Sequence, residues 1–288
     1  MNPYVVVTGA DEFVGGCLIE HLKRHKTSVV GIVGPTVNEE LVVGASAVFH
    51  MSSPQVADPE IDLREMMHHT FSNSKALFDL CQKSLTPFFY TTSAVVYGDK
   101  KNNIEKPEFE SPLTPYARAK LLFDTYVRCF LDVSESQIVG VRLFNVYGPG
   151  EQKLDKPSLI HKFYKQAKED KVVRPFSGSQ AVFRDYIYID DVIEVIAHLY
   201  SKKSPSGIYN CGTGTCVTSN EIIRNLKRYM IFKEEVINFP EELKATYQKY
   251  TRAVDSRLLQ TGYAREFVNL SEGMDKYISY LKKAEKDI

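Results

Sequence analysis

Three polar side chains lie at a spacing that could move a proton to and from a hydroxyl group: Ser93, Tyr116 and Lys120. Tyr116 and Lys120 are four residues apart in a segment of helical character, so they share one helix face. An ammonium group beside a phenol favours the phenolate, which makes the tyrosine an acid or base near neutral pH. Ser93 ends an apolar run typical of a buried strand, where its hydroxyl can hold the reacting oxygen.

A glycine-rich loop near the N-terminus adds a second chemical feature. The apolar run at residues 4–8 leads directly into Gly9, and Gly15 follows within a helical pattern that begins at Phe13 and Val14. A helix N-terminus behind a tight glycine turn offers free N–H groups and a partial positive charge to a pyrophosphate. Glu12 stands where the usual pattern has its middle glycine. The loop predicts a dinucleotide site, with a β–α turn that uses glycine for close packing as the alternative.

The end of the second predicted strand, at residues 28–33, lacks the residues that usually read an adenosine ribose. Val33 and Gly34 supply neither a carboxylate that could bind the ribose hydroxyls nor an Arg or Lys side chain that could bind a 2′-phosphate. The next predicted strand begins at residue 46. About a dozen intervening residues are too few for a helix and a further strand. We therefore expect a shortened second-to-third-strand region, reduced to a turn around Asn38.

The alternation of apolar runs and helical patterns indicates the fold class. We predict five strands at 4–8, 28–33, 46–50, 87–92 and 137–143, and helices at 13–25, 61–83, 115–131, 158–170, 190–202, 218–230 and 271–284. Strands that alternate with helices of this length predict an α/β fold with a doubly wound parallel (Rossmann) sheet. We expect residues 1–150 to form a dinucleotide-binding domain to which later segments return, and residues 151–288 to be mainly a smaller C-terminal α/β substrate lobe.

Composition excludes several classes of protein. The 288 residues include 36 Lys and Arg against 36 Asp and Glu, so the chain lacks the cationic surplus of a general nucleic-acid binder. Its apolar runs fall short of the roughly 20 residues that span a membrane. The five cysteines are scattered and form no C-x-x-C pair, which argues against a disulfide framework or a zinc site. A reducing cytoplasm is the expected compartment.

Several longer stretches resemble one enzyme family. The stretches SQIVGVRLFNVYGP at 136–149, FRDYIYI at 183–189 and GIYNCGTG at 207–214 accompany the glycine loop and the Ser/Tyr/Lys set. Together they resemble the extended short-chain dehydrogenases/reductases, the NAD-dependent epimerase/dehydratase family. LLFDTYVR at 121–128 and FPEELKATYQ at 239–248 resemble its ADP-glyceromanno-heptose 6-epimerase subfamily in particular. The likeness covers nearly the whole chain from about residue 86 and is thin across 27–75.

The resemblance implies a catalytic assignment. In this family a bound NAD or NADP removes hydride from a sugar carbon and returns it to the opposite face of a transient ketone. Tyr116 then matches the first acid/base, Ser93 the hydroxyl that holds the reacting oxygen, and Lys120 the lysine that binds the cofactor ribose. A lysine after the Tyr-Gly-Pro turn would serve the other face of the sugar. Lys153 takes that place if one gap is allowed, and Lys156 is its rival.

The resemblance also implies two binding sets. The cofactor set comprises Gly9, Phe13, Val14, Gly15, Ser53, Tyr116 and Lys120. The substrate set comprises Asn145, Arg184 and Tyr247, with the arginine suited to a diphosphate. The implied partners are a nucleotide-sugar substrate and further copies of the chain in a homo-oligomer, with no nucleic acid, membrane or metal. The choice between NAD and NADP stays open.

Two other readings compete with an epimerase. A nucleotide-sugar dehydratase or reductase would keep the fold and change the net chemistry, although dehydratases often carry an acid pair where this chain has Ala94 and Val95. A non-catalytic nucleotide-sugar-binding relative with a decayed cofactor site is favoured by Glu12 and Val33. The retained Ser93, Tyr116 and Lys120 set opposes that reading, because a pure binder has no need of it.

Overall fold

A six-stranded parallel sheet forms the centre of the protein. The computed structural model describes residues 3–34, 37–52, 63–154, 157–254 and 256–286. In spatial order the strands are β2 (Ser28–Ile32), β1 (Tyr4–Thr8), β3 (Ala47–His50), β4 (Phe88–Ser93), β5 (Ile138–Leu143) and β9 (Gly207–Cys211). Every neighbouring pair in this order is parallel. The predicted doubly wound parallel sheet is therefore confirmed.

Helices cover both faces of this sheet. One face packs against α1 (Phe13–Arg24) and α7 (Ile189–Ser201), and the other against α4 (Asn73–Lys83) and α5 (Pro115–Arg128). Alternate strand residues serve the two faces: Val7 packs toward α1 and α7, whereas Val6 packs toward α4 and α5. Burial on both faces explains why the strands read as continuous apolar runs.

The predicted helix at 61–83 is interrupted. Residues 61 and 62 lie outside the described part of the chain, and α3 (Leu63–Met67) is joined to α4 by a π-helical turn at His68–Ser72. A π turn widens the helix by one residue and rotates the face that follows it. It therefore changes which side chains α3 and α4 present to the sheet.

The sheet ends at β2, and the described residues between β2 and β3 form a short helix where a turn around Asn38 was expected. Between β2 and β3 the described residues form one helix, α2 (Glu39–Val43), whose N-cap Asn38 accepts a hydrogen bond from the Glu40 N–H. In the sheet β3 lies directly beside β1, so β2 is the edge strand. Val33, just beyond that strand, is 67% exposed.

The remaining elements build a second packed region. They are the sheet strands β6 (Asn145–Tyr147), β8 (Arg184–Tyr188) and β10 (Cys216–Val217), the pair β7 (Val172–Val173) and β11 (Lys233–Glu234), and the helices α6 (Leu159–Glu169), α8 (Ser219–Leu226) and α10 (Leu270–Ala284). The short helix α9 (Ser256–Leu259) packs instead against β9, and its Leu258 belongs to the core of the main sheet. The chain returns from it to the main sheet through α7 and β9. A domain division at residue 150 stays a prediction. No helix in the described ranges has the length and apolarity needed to cross a membrane.

Phe78 tests the packing of α4 against the sheet. Its side chain is 0% exposed and contacts the rings of Phe88, Phe123, Tyr126 and Phe130. We expect Phe78→Ala to lower the free energy of unfolding by about 3–5 kcal/mol, because it leaves a cavity among these rings. Chemical denaturation measures the loss.

The matched control is Leu122→Ala on α5, where the side chain is 41% exposed. It should change the unfolding free energy by no more than about 0.5 kcal/mol. Equal losses in the two variants would contradict the described packing.

Candidate active site

The predicted site residues gather at the carboxyl ends of the central strands. β1 leads into the glycine loop, β3 ends before Ser52, and β4 ends at Ser93. Parallel strands present these ends at one edge of the sheet, where open α/β folds bind their ligands. Residues far apart in the chain thus face one cleft.

The Ser/Tyr/Lys set is held by the first turns of α5. Thr114 caps that helix by accepting the Ala117 N–H at 3.1 Å, which places half-buried Tyr116 in the first turn. Lys120 is 5% exposed, and its Nζ donates to the Thr91 carbonyl at 3.2 Å. That Nζ also lies 5.8 Å from the centre of the Tyr116 ring. The structure thus brings the ammonium beside the tyrosine and onto the strand that ends at Ser93.

A buried carboxylate fixes α5 to this strand. Asp124, one helical turn beyond Lys120, is 0% exposed. It accepts the Tyr90 hydroxyl at 3.0 Å and the Thr92 hydroxyl at 3.1 Å, both from β4. Its Oδ2 also accepts Nη2 of Arg142, from β5, at 2.5 Å. Asp124 therefore joins the helix that carries Tyr116 to the residue next to Ser93.

The ion network continues to Glu110. Arg142 donates to its carboxylate at 2.9 Å and Arg128 donates to it at 2.8 Å. Burial alone would raise the pKa of Glu110, but the two guanidinium groups outweigh it and lower that pKa. Sequence reasoning missed this network. A signal was present in the spacing of Asp124, four residues after Lys120 on a helix whose apolar face predicts burial.

The glycine loop has the form of a phosphate cradle. Gly9 has a φ of +69°, and a Cβ there would lie 2.8 Å from the Ser52 backbone. A Cβ on Gly15 would lie 2.1 Å from the Gly9 carbonyl oxygen, so the close approach of helix and loop requires glycine at both positions. Phe13 and Val14 form the first turn of α1. The loop and the helix N-terminus fit the phosphates of a dinucleotide.

Glu12 lies across this cradle. It is the N-cap residue of α1 but its side chain makes no cap hydrogen bond. Instead its Oε1 accepts the Ser52 hydroxyl at 2.7 Å, which joins the glycine loop to the exit of β3. The carboxylate therefore places negative charge at the phosphate end of the cleft. Ser53, a predicted cofactor contact, lies outside the described residues.

A neutral histidine lies at the end of β3, bonded to the end of β1. Ser74 donates its hydroxyl proton to the Thr70 carbonyl, so it accepts Nε2–H of His50 at 2.8 Å, and Thr8 donates to Nδ1 at 2.8 Å. Burial, reinforced by the charge of Lys120, lowers the pKa of His50 to about 3. In the described part of the chain, no group of His, Cys, Asp and Glu is placed to hold a metal ion.

The predicted substrate residues also form one cluster. Arg184 Nη1 donates to Asn145 Oδ1 at 3.4 Å, and its guanidinium lies 4.8 Å from the centre of the Tyr247 ring. Asn145 is itself fixed by donating to the Asp185 carbonyl at 2.7 Å. The structure thus places an arginine fork, an amide and an aromatic face together, as a nucleotide diphosphate would need.

Gln248 joins this cluster to the Ser93 turn. Its Nε2 donates to the carbonyls of Ala94 at 3.1 Å and Gly98 at 2.7 Å. The main-chain carbonyl of Gln248 accepts a hydrogen bond from Nη2 of Arg184 at 2.7 Å. The substrate cluster and the Ser93 strand are therefore parts of one site, which sequence reasoning did not connect through this glutamine.

The structure describes only the backbone of Lys153, the predicted second acid/base. The backbone of Lys153 ends a short 3₁₀ helix, Glu151–Lys153, directly after the turn at Gly148–Gly150. Its side chain, and all of Lys156, fall outside the described part of the chain. The role of Lys153 stays a prediction.

Comparison with known proteins agrees with this geometry. A model of the NAD-dependent epimerase/dehydratase family matches residues 5–212. An ADP-L-glycero-D-manno-heptose-6-epimerase of Alkalilimnicola ehrlichii is 35% identical over 314 residues, which cover 97% of this chain and 98% of that protein. The chain belongs to the NAD-dependent epimerase/dehydratase family. NAD is therefore the cofactor of the family to which this chain belongs.

Solved structures of the family superpose along nearly the whole chain. The Helicobacter pylori ADP-L-glycero-D-manno-heptose-6-epimerase matches with a TM-score of 0.86 and 25% identity, covering 98% of this chain and 96% of that one. A Thermus thermophilus UDP-glucose 4-epimerase in complex with NAD matches with a TM-score of 0.79 and 21% identity, over 98% and 99% of the two chains. At this lower identity the likeness shows the fold.

Asp124 provides a test of the buried network. Asp124→Ala removes one of the two buried carboxylates that face Arg142 and leaves the network with an excess positive charge in the core. It also leaves the Tyr90 and Thr92 hydroxyls without this acceptor. We therefore expect it to lower the free energy of unfolding by about 3–5 kcal/mol. Asp132→Ala, at an exposed aspartate, is the control and should cost no more than about 0.5 kcal/mol. Denaturant unfolding measures both, and equal losses would contradict the network.

Glu12 provides a test of the cradle. A carboxylate about 4 Å from a phosphate costs roughly 1 kcal/mol in water, so Glu12→Gly should raise the affinity for NAD about fivefold by calorimetry. Glu12→Gln is the control that keeps the side-chain length and removes the charge. A gain in both variants identifies charge as the cause, and a gain in glycine alone identifies the side chain itself. Unchanged affinity in both would contradict the placement of Glu12 at the phosphate end.

Proposed function

We propose that this protein is a nucleotide-sugar epimerase that acts on ADP-glycero-manno-heptose and inverts carbon 6. The observation that carries the proposal is the single site in which Ser93, Tyr116 and Lys120 are joined through Gln248 to the Arg184 cluster. The 35% identical relative, which is named as an ADP-L-glycero-D-manno-heptose-6-epimerase, supports the choice of substrate. The A. ehrlichii protein and this chain match over nearly their full lengths.

The residues divide the acid/base work. When bound, NAD supplies a reversible hydride acceptor, so the net reaction needs no external oxidant. Ser93 holds the oxygen on the reacting carbon, and Tyr116 as phenolate takes the hydroxyl proton while that carbon becomes a ketone. Lys120, held to the Thr91 carbonyl, keeps its ammonium 5.8 Å from the centre of the Tyr116 ring. Lys153 would act on the opposite face of the sugar.

Arg184, Asn145 and Tyr247 would hold the nucleotide end of the substrate. The Arg184 fork suits a diphosphate oxygen, and its stacking on the Tyr247 ring orients the fork. Arg184 donates a hydrogen bond to the main-chain carbonyl of Gln248, and the Gln248 side chain donates to the turn after Ser93. A movement of Arg184 on binding the diphosphate would therefore reach that turn. The substrate would thus be anchored at one end and presented to Tyr116 at the other.

A second function is favoured by the Glu12 bond to Ser52. A carboxylate across the cradle suits a non-catalytic nucleotide-sugar-binding relative with weak cofactor affinity. Dehydratase chemistry is less well supported, since Ala94 and Val95 stand where such enzymes often carry acids and Ala94 is 4% exposed. Measured NAD release from the purified protein separates the binder from both enzymes.

We also propose that the protein forms a homo-oligomer in the cytoplasm. The family resemblance supports the first statement. The five cysteines, none of which forms a disulfide, support the second, because free thiols persist in a reducing compartment.

Tyr116→Phe tests the proposed chemistry. The variant loses the phenolic proton acceptor and retains the ring, so we expect turnover of ADP-glycero-manno-heptose to fall at least 1,000-fold, about the contribution of acid/base catalysis. Unfolding temperature and bound NAD should match the wild type. Conversion of one epimer to the other is followed by chromatography.

Tyr126→Phe is the matched control, because it removes a hydroxyl from the same helix at its bond to Asp79. It should retain turnover within about twofold, because substitutions near the surface have small effects on the protein. Full activity in Tyr116→Phe would contradict the proposed function.

A further inference from the structure

A buried carboxylate braces the turn that precedes the predicted second acid/base. Glu151 is 0% exposed although it lies in an exposed-looking Gly-Glu-Gln-Lys sequence. Its Oε1 accepts the Gly148 N–H at 3.1 Å and the Ser158 hydroxyl at 3.0 Å. Its Oε2 accepts the Ser158 N–H at 2.6 Å. Since Ser158 is the N-cap of α6, Glu151 joins the turn to the start of that helix.

The turn that Glu151 contacts contains two glycines with positive φ. Gly148 has a φ of +135° and Gly150 a φ of +107°. A Cβ on Gly150 would lie 3.0 Å from the Phe13 ring, and the Pro149 carbonyl accepts the Cys17 thiol at 3.5 Å. The turn thus rests on the helix of the cofactor loop on one side and leads to Lys153 on the other. Any shift of the turn reaches both halves of the proposed site.

The groups that face Glu151 are neutral. They are the two N–H groups, the Ser158 hydroxyl and the hydroxyl of Tyr277 on α10. His161 on α6 reaches Glu151 through Tyr277, with Nδ1 2.8 Å from its hydroxyl. Tyr147 and Tyr186, on β6 and β8, feel its charge, and Glu272 on α10 adds its own charge at Tyr147.

Burial is the main cause that raises the pKa of Glu151, and its hydrogen bonds oppose that rise only in part. The resulting pKa is about 7, against an ordinary value of 4.5. The carboxylate therefore changes charge in the range where the enzyme would work.

We propose that Glu151 is a positioning residue, whose ionised carboxylate holds the Gly148–Gly150 turn in the shape that the reaction requires. The proposal rests on the proposed function, since the turn matters through Lys153 and Phe13. When Glu151 takes up a proton, one of its oxygens becomes a hydroxyl, which is a weaker acceptor and donates a hydrogen bond of its own. One of the bonds to Gly148 or Ser158 is then weakened, and the turn loosens.

Glu151→Gln tests this with two readouts. With ADP-glycero-manno-heptose as substrate and saturating NAD, we expect the wild-type kcat to rise with pH through a midpoint near 7, the pKa of Glu151. The variant should lose this rise, with kcat at pH 8 at least tenfold below the wild type and KM within twofold. Glu266→Gln, at an exposed glutamate, is the control and should keep the wild-type profile.

The pH dependence of stability is a readout that needs no substrate. Because the pKa of Glu151 is raised in the fold, the folded protein holds a proton that the unfolded chain releases at lower pH. Ionisation therefore destabilises the fold. The unfolding temperature of the wild type, relative to Glu151→Gln, should fall as pH increases from 5 to 8, while kcat increases.

Three results would overturn the proposal. The first is a pH profile of kcat in Glu151→Gln that matches the wild type, and the second is a rise of kcat with pH that survives in Glu151→Gln and disappears in His161→Gln. The third is a difference in unfolding temperature between the wild type and Glu151→Gln that does not depend on pH. An inactive wild type that still shows the pH-dependent stability difference would contradict the proposed function and leave the ionisation of Glu151 established. It would overturn the positioning role, because there would be no reaction to serve.

Discussion

The carboxylate of Asp124 holds the candidate site together. It accepts hydrogen bonds from two β4 side chains and from Arg142 on β5, while its backbone belongs to the helix that presents Tyr116 and Lys120. A buried charge of this kind tolerates little movement, because each displaced partner leaves an uncompensated group in the core. Ser93 and Tyr116, whose positions rest on different elements, thereby acquire a fixed relation. Gln248 extends that relation to the substrate cluster.

The cofactor side of the cleft departs from the usual dinucleotide-binding pattern at two places. The sheet ends at β2, where the exposed Val33 offers no group to a ribose, and Glu12 occupies the phosphate end of the loop. Glycine is nevertheless required at Gly9 and Gly15 by the close approach of loop, helix and β3 exit. The cradle therefore has the backbone shape of a phosphate site and carries a carboxylate. Affinity for the cofactor, rather than the chemistry at Tyr116, is where this chain should differ from its relatives.

Much of the fold follows from pattern. Apolar runs and helical spacing place five of the six central strands and α1, α5, α6, α7 and α10 within a few residues, because burial on both sheet faces imposes one period on each element. The sixth strand, β9, was not predicted, and α4 begins twelve residues later than the helix predicted at 61–83. The π turn at His68–Ser72 and the end of α8 at Leu226 were not predicted, since both depend on packing between elements. Lys120 lies beside Tyr116, and Arg184 lies beside Asn145 and Tyr247. The roles of the predicted catalytic and substrate residues stay predictions.

The bonds that join those sets could not be read from sequence. Asp124, Gln248 and Glu151 look like surface residues by type, yet each is buried. Asp124 and Gln248 bond to partners far away in the chain, and Glu151 bonds to the N-cap of the helix that follows it. Asp124 is the partial exception, because its spacing from Lys120 puts it on the same helix face. Ion networks and carbonyl contacts of this kind are set by tertiary geometry, which single-residue patterns do not encode.

The most direct test of the central claim is the fate of the hydrogen on the inverted carbon. ADP-glycero-manno-heptose carrying deuterium at carbon 6 would be converted by the wild-type protein in ordinary water, and the product epimer analysed by mass spectrometry. Removal and return of the same hydride within one site predicts that the product keeps its deuterium. A product that has exchanged the label for solvent hydrogen would contradict the account, because inversion would then proceed by proton abstraction from carbon.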